Sequence, residues 1–308
     1  MSAKQFGEEP APTGLTLVHE HDRSVRLSFD DVEIVRYVYR PWDPPLESPR
    51  PYFHPIRTLG GDVVSLYRPH DHVWHKGIAW SLSNVGSQNF WGGTTFTREH
   101  GYRQLDNDGS MRHDGFDGVS VHNGVATVDE RLTWVTSHGE EWISERRQLT
   151  AEVLPDRSAW RLGFATSMTN TSGAMIPIGS PTTAGRDNAG YSGFFWRGPR
   201  SFTGGTMMMA DAEGGDELMG ARGPWLAYVG RHDGHGRTST LVFRDHPENF
   251  AFPNQWFVRA NPFAAVCPAP FFSSEYELAD GDTLHLRYDV FVADGALDAE
   301  TCGKLAAW

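Results

Sequence analysis

The sequence predicts an all-β protein, a large antiparallel β-sandwich. Apolar residues recur with a period of two in most segments, and no segment has an apolar stripe at helical spacing. The 33 glycines and 19 prolines are spread along the chain, as in a fold with many turns. We therefore expect one β-sandwich domain with long functional loops over residues 14–308, preceded by a polar, flexible leader at residues 1–13.

Three short β-rich runs near the N-terminus predict a meander. Separated by DRS and DD turn signals, they cover residues 15–21, 24–29 and 32–39. An Asn-Gly pair between β-forming residues predicts a hairpin within 121–128, and clean alternation predicts strands at 160–168 and 283–292. The Pro-rich segment 40–55 carries three aromatic residues and is interpreted as a loop packed on the body, with a linker as the alternative.

Charge and cysteine content narrow the class of protein. The chain has 27 Lys and Arg against 39 Asp and Glu, a net charge of -12, which disfavours a nucleic-acid partner. It lacks an 18-residue apolar run, and its first residues lack the apolar region of a signal peptide, so we expect a cytoplasmic protein with no membrane partner. Cys267 and Cys302 lie outside any CxxC motif and are expected to be free thiols.

The densest run of potential ligands is RPHDHVWHKGI at residues 68–78. If the chain is extended here, His70 and His72 face one side and His75 joins them from a loop. Three imidazoles suit Zn, Fe, Mn or Cu, so His70, His72 and His75 are predicted ligands of a possible divalent metal ion. Metal-free acid/base chemistry and a solvated loop remain the alternatives.

A second candidate is Glu145 in the segment EEWISERRQLTAEV. On a strand, Glu145 and Arg147 share a face with Ile143 and Leu149, where an ionised group is costly unless it is paired or faces a cleft. An inward carboxylate is a candidate general acid or base. The alternative is a carboxylate paired with a neighbouring arginine.

Residues 180–205 are rich in glycine, aromatic residues and arginine, without the pattern of a phosphate loop. Arginine forks beside aromatic rings suit a hydroxylated or carboxylated ligand with an apolar face, as sugars have. Arg186, Tyr191, Trp196 and Arg197 are therefore predicted to bind substrate. The alternative is a tightly turned loop whose aromatic residues belong to the core.

The segment 243–259 places Asp245 beside His246. A carboxylate and an imidazole form a candidate acid/base pair, although adjacent residues of a strand face opposite ways. The chain has no G-x-S-x-G motif, so a serine nucleophile is disfavoured.

Several strings together resemble a bacterial family labelled PmoA-like, or "methane oxygenase PmoA", over about residues 25–298. They are RPYFHPIRTLGGDVVSLYRPHDHVWHKGIAWS, NFWGG, GYSGFFWRGPRSFTGG, DHPEN, NPFAAVCPAPFF and GDTLHLRYDVFVADG. The resemblance implies a soluble β-sandwich similar to the supersandwich of galactose mutarotases, and a role in sugar catabolism.

The histidine motif of that family is matched here at Asp71, His72, His75 and Gly77, while Lys76 stands where His or Arg is common. The resemblance thus favours His72 and His75 as the functional histidines. The residues that match its other strings are Asn89, Trp196, Arg197, Asp245 and His246.

These observations predict an enzyme of carbohydrate metabolism acting on a sugar, glycoside or oxidised sugar derivative. His72, His75, Asp245, His246 and Glu145 are its predicted catalytic residues, and epimerase, lyase and hydrolase outcomes all suit such acid/base groups. The residues predicted to bind substrate are Asn89, Arg186, Tyr191, Trp196 and Arg197. The alternatives are a non-catalytic sugar-binding β-sandwich and a metal-dependent oxygenase.

Overall fold

The computed structural model describes residues 14–308 and confirms an all-β protein with antiparallel strands. The predicted leader at residues 1–13 lies outside the described residues. In chain order the strands are β1 (Leu15–Glu20), β2 (Ser24–Phe29), β3 (Val32–Val38), β4 (Tyr52–Ile56), β5 (Ile78–Val85), β6 (Gln88–Phe90), β7 (Thr95–Thr97), β8 (Gly101–Arg103), β9 (Ser110–His122), β10 (Val125–Val135), β11 (Glu141–Leu154), β12 (Ala159–Asn170), β13 (Ile176–Gly179), β14 (Gly193–Arg197), β15 (Thr206–Met208), β16 (Glu213–Gly214), β17 (Trp225–Arg231), β18 (Thr238–Asp245), β19 (Gln255–Arg259), β20 (Ala265–Ala269), β21 (Tyr276–Leu278) and β22 (Thr283–Asp294).

Two large sheets account for most of these strands. The first sheet has the order β1-β2-β3-β4-β5-β14-β20-β19, with β6, β13 and β21 joined through β5 and β13. The second sheet has the order β16-β15-β17-β18-β22-β12-β11-β10-β9. The strands β7 and β8 form a separate hairpin.

The main core lies between the inner faces of the two sheets. Trp80 on β5 and Phe194 on β14 meet Phe164 of the second sheet, with ring centroids 5.8 and 4.4 Å apart respectively. Alternation along each strand sends these apolar side chains inward and leaves the intervening positions for the outer faces. Burial of large aromatic residues is therefore what holds the two sheets together.

The predicted strands are present, and Asn123 and Gly124 form the turn between β9 and β10. The segment 40–55 is packed rather than a free linker, because Glu47 and Arg50 are buried and β4 begins at Tyr52. Its Trp42 differs from the expectation, since 76% of that residue is exposed.

The α-helix α1 (Ala299–Ala306) was not predicted from the sequence. It has only eight residues, too few for a clear helical period. Asp298 caps it by accepting a hydrogen bond from the Thr301 N–H, 2.8 Å. Its Cys302 and Leu305 pack on the outer face of the second sheet and cover part of that face.

Short 3₁₀ turns connect several strands, at Pro45–Glu47, Pro155–Arg157, Arg200–Phe202 and Asp216–Leu218. Both cysteines are buried free thiols, as predicted. Within the described residues, helices long and apolar enough to cross a membrane are absent.

Candidate functional site

A cavity of about 540 Å³ lies on the outer face of the first sheet, above β14, β20 and β19. The flanking strands carry large side chains on this face, Phe195 on β14 and Phe257 on β19. The strand between them carries only small ones here, Ala265, Cys267 and Ala269. Space therefore opens over the middle strand, between two aromatic walls.

The register of these strands also directs two arginines to the cavity side of the sheet, Arg259 in the cavity lining and Arg197 beside it. Arg197 pairs with Ala265 from one side, and Arg259 pairs with Ala265 from the other. Paired residues point to the same face, so both guanidinium groups start on the cavity side, two strand spacings or about 10 Å apart at the backbone.

Residues 68–76 border the cavity as a series of tight turns, which corrects the extended segment considered from the sequence. The His72 N–H donates to the Pro69 carbonyl, 3.0 Å, and the His75 N–H donates to the His72 carbonyl, 2.9 Å. The Arg68 N–H donates to the His75 carbonyl, 2.9 Å, which closes the loop. The histidine spacing therefore does not follow the period of a strand.

One buried carboxylate fastens both ends of this loop. Glu47 accepts three charge-assisted hydrogen bonds from Arg68, the shortest 2.6 Å, and a further one from Lys76. Arg50 donates to the Trp74 carbonyl, 2.8 Å, in the middle of the loop. Lys76 thus has a structural role at the position where the PmoA-like family often has His or Arg.

The NFWGG segment forms the adjoining wall. Asn89 accepts hydrogen bonds from the N–H groups of Trp91 and Gly92, 2.8 and 3.0 Å, and so shapes the turn that carries Trp91 into the cavity. A Cβ on Gly92 or Gly93 would lie 2.8 or 2.7 Å from Trp74, so the Trp74 indole needs both glycines. Asn89 is buried and contributes to the turn, not to the cavity lining predicted for it.

His75 is held as a neutral imidazole with a defined tautomer. Arg197 donates from Nη1 to His75 Nδ1, 2.9 Å, and because a guanidinium has no acceptor, the proton of His75 resides on Nε2. Burial, together with the positive charges of Arg197 and Arg50, holds the pKa of His75 well below its usual value. His75 therefore presents an N–H donor beside Phe195, whose ring centroid is 4.6 Å away.

His72 has the opposite tautomer. Its Nδ1 lies 2.9 Å from Asp71 Oδ2, and an ionised carboxylate only accepts, so Nδ1 carries the proton and Nε2 has a free lone pair. Partial burial raises the pKa of Asp71, but hydrogen bonds from His72 and Arg197 outweigh it and hold that pKa well below its usual range. The His72 and His75 rings are stacked, with centroids 4.6 Å apart.

Two tyrosines and two arginines line the same cavity as the histidines, and we call this group the arginine wall: Tyr102, Arg186, Tyr191 and Arg259. The Tyr102 and Tyr191 hydroxyls are 2.7 Å apart, and Arg186 donates to the Tyr102 hydroxyl and lies over its ring. The Phe257 ring centroid lies 5.4 Å from that of Tyr191 and 5.7 Å from the Cζ atom of Arg259. Burial raises the pKa of Tyr191 well above its usual value, so its phenol stays protonated.

The three histidines do not form the predicted metal site. His70 is exposed and its Nδ1 accepts from Arg200, 2.9 Å, while His75 Nδ1 accepts from Arg197. A guanidinium beside an imidazole nitrogen occupies the lone pair and repels a divalent cation. In the part of the chain that is described, groups of three or more His, Cys, Asp or Glu suited to a metal ion are absent. The residues present do not fit a divalent ion here.

Glu145 lies between the two sheets, away from the cavity lining. It accepts from Arg147 at 2.8 and 3.0 Å, from the Trp134 indole at 2.7 Å and from the Thr166 hydroxyl at 2.8 Å. Both oxygens are thus fully used. The strand pattern placed Glu145 inward correctly, and the paired alternative describes it.

Asp245 and His246 also lie outside the cavity lining. Asp245 accepts from the Asn249 side chain and the Asn254 N–H, both 2.7 Å, and holds the turn after β18. Burial raises its pKa to about 6. His246 Nδ1 instead accepts from the Glu248 N–H, 3.3 Å, so the two neighbours do not form a pair.

Alternation on β14 separates two predicted substrate residues. Trp196 is fully buried between the sheets and donates from its indole to the Val64 carbonyl, 2.8 Å, whereas Phe195 and Arg197 face the cavity side. The period of two in GFFWR places Trp196 on the opposite face of the strand from Phe195 and Arg197, and this alternation excludes Trp196 from the cavity. Sequence reasoning did not select several cavity residues, namely Trp74, Trp91, Tyr102, Phe195, Phe257, Arg259 and Phe263.

The fold and this cavity define a two-sheet antiparallel β protein with a histidine pair and an arginine wall on one outer face. The chain belongs to the family described as "Family of unknown function (DUF6807)", whose model matches residues 24–307. Nothing in the comparisons supports the PmoA label. Curated protein sequences give no match.

Solved structures with a similar arrangement share little sequence with this chain. The GH36 alpha-galactosidase AgaB from Geobacillus stearothermophilus is 10% identical, with a TM-score of 0.44, and covers 91% of this chain and 41% of its own. The heparan sulfate lyase HepC from Pedobacter heparinus is 8% identical, with a TM-score of 0.41 and coverages of 94% and 36%. This chain thus spans well under half of both enzymes. The galactose 1-epimerase from Lactobacillus acidophilus NCFM is 8% identical, with a TM-score of 0.44 and coverages of 92% and 100%.

Proposed function

We propose that this protein is an enzyme of carbohydrate metabolism that acts on a sugar, glycoside or oxidised sugar derivative by proton transfer at His72 and His75. The observation that carries the proposal is the opposite tautomers of two stacked imidazoles at one cavity. One ring offers a lone pair and the other offers an N–H. A base and a hydrogen-bond donor are thus available to neighbouring atoms of one small ligand.

His72 is the base in this proposal. Asp71 holds its Nδ1 proton, so Nε2 is free, and no described residue donates a hydrogen bond to that atom. The carboxylate also stabilises the imidazolium that forms when Nε2 takes a proton. Arg197 and Arg200 fix Asp71 in turn, each at 2.9 Å, and so keep the His72 ring in place.

His75 is the donor. Its Nε2 proton would hydrogen-bond to the substrate oxygen that gains negative charge when His72 removes a proton from the adjacent carbon or hydroxyl. A neutral imidazole suits this role, and burial beside Arg197 keeps His75 neutral. The positive charge of Arg197 lies at Nδ1 of the same ring, and it stabilises negative charge on the oxygen bound at Nε2.

The shape of the cavity supports a sugar as the substrate. Trp74, Trp91, Phe195 and Phe263 present aromatic surface around the histidine pair, and each lines the cavity. Aromatic rings pack on the apolar face of a pyranose, while polar groups at the margin bind its hydroxyls. Epimerase and lyase reactions begin with removal of a substrate proton by a base, and a hydrolase uses a base to take a proton from the attacking water.

The test is proton exchange in deuterated water. The protein is incubated with a panel of aldoses, ketoses, uronates and glycosides, and NMR spectra record deuterium uptake, epimer formation and bond cleavage. We expect His72→Gln and His75→Gln to lower the rate by about 10²- to 10⁴-fold, the usual contribution of a general acid or base. Binding of the same sugar, measured by calorimetry, should persist in both variants.

His246→Gln is the matched control, because His246 also follows an aspartate but lies outside the cavity lining. It should leave the rate unchanged. Exchange that survives His72→Gln would contradict the proposal. Binding of a sugar by the wild type with no exchange, epimer or cleavage across the panel would show a sugar-binding protein instead.

A further inference from the structure

The cavity holds two arginines whose charges the described residues do not neutralise. Arg186 and Arg259 both line it, and within residues 14–308 neither makes an ion pair with a carboxylate. Arg186 donates to the Tyr102 hydroxyl, and Arg259 has the Phe257 ring as its neighbour. Both side chains are partly buried, and an unpaired charge there costs free energy.

This arrangement differs from that of the other arginines near the site. Arg197 and Arg200 share Asp71, and Arg68 is paired with Glu47. None of the described residues that line the cavity is acidic. The chain as a whole has a net charge of -12, so a cavity with arginines and no carboxylate stands out from the rest of the molecule.

The tyrosines of the arginine wall add a hydrogen-bond donor. The two hydroxyls of Tyr102 and Tyr191 have two protons between them, and their mutual hydrogen bond uses one. Arg186 contributes a donor, not an acceptor, to Tyr102. One phenolic proton therefore remains to be donated, beside two guanidinium groups. Such a set of donors binds the oxygens of an anion.

We propose that the ligand of this cavity is an anionic carbohydrate, whose carboxylate or phosphate group binds the arginine wall. The carbohydrate part of this inference rests on the proposed function, whereas the anionic part rests on the wall itself. The anion would lie across the cavity floor from the His72 and His75 pair, because Arg259 and Arg197 flank Ala265 from opposite sides. Trp91 and Tyr191, with ring centroids 4.7 Å apart, join the two ends.

This placement separates recognition from chemistry. A sugar ring over the central aromatic surface would present one end to the histidines and its charged end to the arginines. Neutral sugars would lose the charge-assisted hydrogen bonds and would leave two arginines unbalanced, so the cavity selects against them.

The experiment is a binding comparison by titration calorimetry at fixed salt. The probes are glucuronate and galacturonate for the carboxylate arm, glucose 6-phosphate for the phosphate arm, and glucose and galactose as neutral counterparts. We expect the probes of one arm, either the carboxylates or the phosphate, to bind at least about tenfold more tightly than the neutral sugars, because they form charge-assisted hydrogen bonds. The tighter arm identifies the anion.

Arg186→Gln and Arg259→Gln, alone and together, should remove that preference and leave neutral sugars unaffected. Arg186→Lys and Arg259→Lys keep the charge without the planar fork and should retain part of the preference, which separates recognition from any loss of fold. Equal affinity for anionic and neutral sugars, binding by no anionic probe, or a preference that survives the double Gln variant would each overturn the inference.

His72→Gln keeps the two proposals apart. Turnover of neutral sugars that depends on His72, with no preference for anions, would leave the proposed function intact and remove this inference. Arginine-dependent binding of anions without turnover of any sugar would do the reverse.

Discussion

Two clusters of charged and polar groups in this molecule differ in how many of their hydrogen bonds are satisfied. Between the sheets, Glu145, Arg147, Tyr37 and Glu130 are linked in one buried network in which Arg147 also donates to Tyr37, 3.1 Å. At the cavity, by contrast, the Nε2 atoms of both histidines and the guanidinium groups of the arginine wall have capacity left for a ligand.

The difference lies in what the protein itself can satisfy. A buried charged group is costly unless other protein groups satisfy it, and the network between the sheets does so completely at Glu145. Groups that keep free donors and acceptors beside an open cavity are poised for a ligand. Burial alone therefore does not identify a functional carboxylate in this fold.

The largest effect is expected from breaking the network. Arg147→Met leaves the Glu145 carboxylate buried without its cation, and we expect the free energy of unfolding to fall by about 3–5 kcal/mol. Denaturant titration measures this loss. Arg146→Met is the matched control, because Arg146 is the next residue on β11, is exposed and pairs with Asp117 at 3.1 Å, which is worth about 1 kcal/mol or less.

Replacing both partners tests the reason for that loss. If the cost comes from an unpaired charge, Glu145→Met combined with Arg147→Met should recover much of the stability. A double variant as unstable as Arg147→Met would show that packing, not pairing, dominates.

The next effect is a pH dependence at Asp245, a carboxylate in a second satisfied site. Burial raises its pKa to about 6 from an ordinary value of 3.8. Between these two pH values the folded protein retains a proton that the unfolded chain has released. Asp245 thus contributes stability that is fully present below pH 3.8 and is lost as the pH rises through 6. The total change is on the order of 3 kcal/mol.

Asp245→Asn removes that titration, so the stability of the variant relative to the wild type should rise between pH 4 and pH 6, by denaturant titration at each pH. The constant loss of a hydrogen bond to Asn249 or Asn254 shifts the whole curve without changing its slope. Glu248→Gln, at an exposed neighbouring position, should show no such slope. A difference that is flat across this window would contradict the raised pKa of Asp245.

The predictions from the sequence succeeded where one strand decides the outcome. Period-two alternation placed Glu145 and Arg147 inward, and it identified β12 and β22. Whether an inward carboxylate is paired or faces a cleft depends on residues far along the chain, such as Tyr37 for Arg147. A single sequence does not give those contacts.

The same limit applies to the candidate site, whose functional roles stay predictions. His72, His75, Arg186, Tyr191 and Arg197 do come together at or beside the cavity. Their neighbours lie on strands paired across the sheet, above all β19, which carries Phe257 and Arg259, and β20, whose small residues create the space. That register depends on tertiary structure and has no local sequence pattern.

The smallest effect is expected at His70, the third histidine of the loop. It is exposed and has the Arg200 guanidinium as its hydrogen-bond partner, so His70→Ala should change stability by less than about 0.5 kcal/mol, as for other surface substitutions. Its exchange rate should equal that of the wild type, in contrast to His72→Gln. If the three histidines instead held a metal ion, His70→Ala would lower both the rate and the metal content of protein purified without chelator or a histidine tag. Elemental analysis of the wild type beside His70→Ala therefore decides whether the two arginines at His70 and His75 exclude a cation, because only a metal site makes the exposed histidine as important as the buried one.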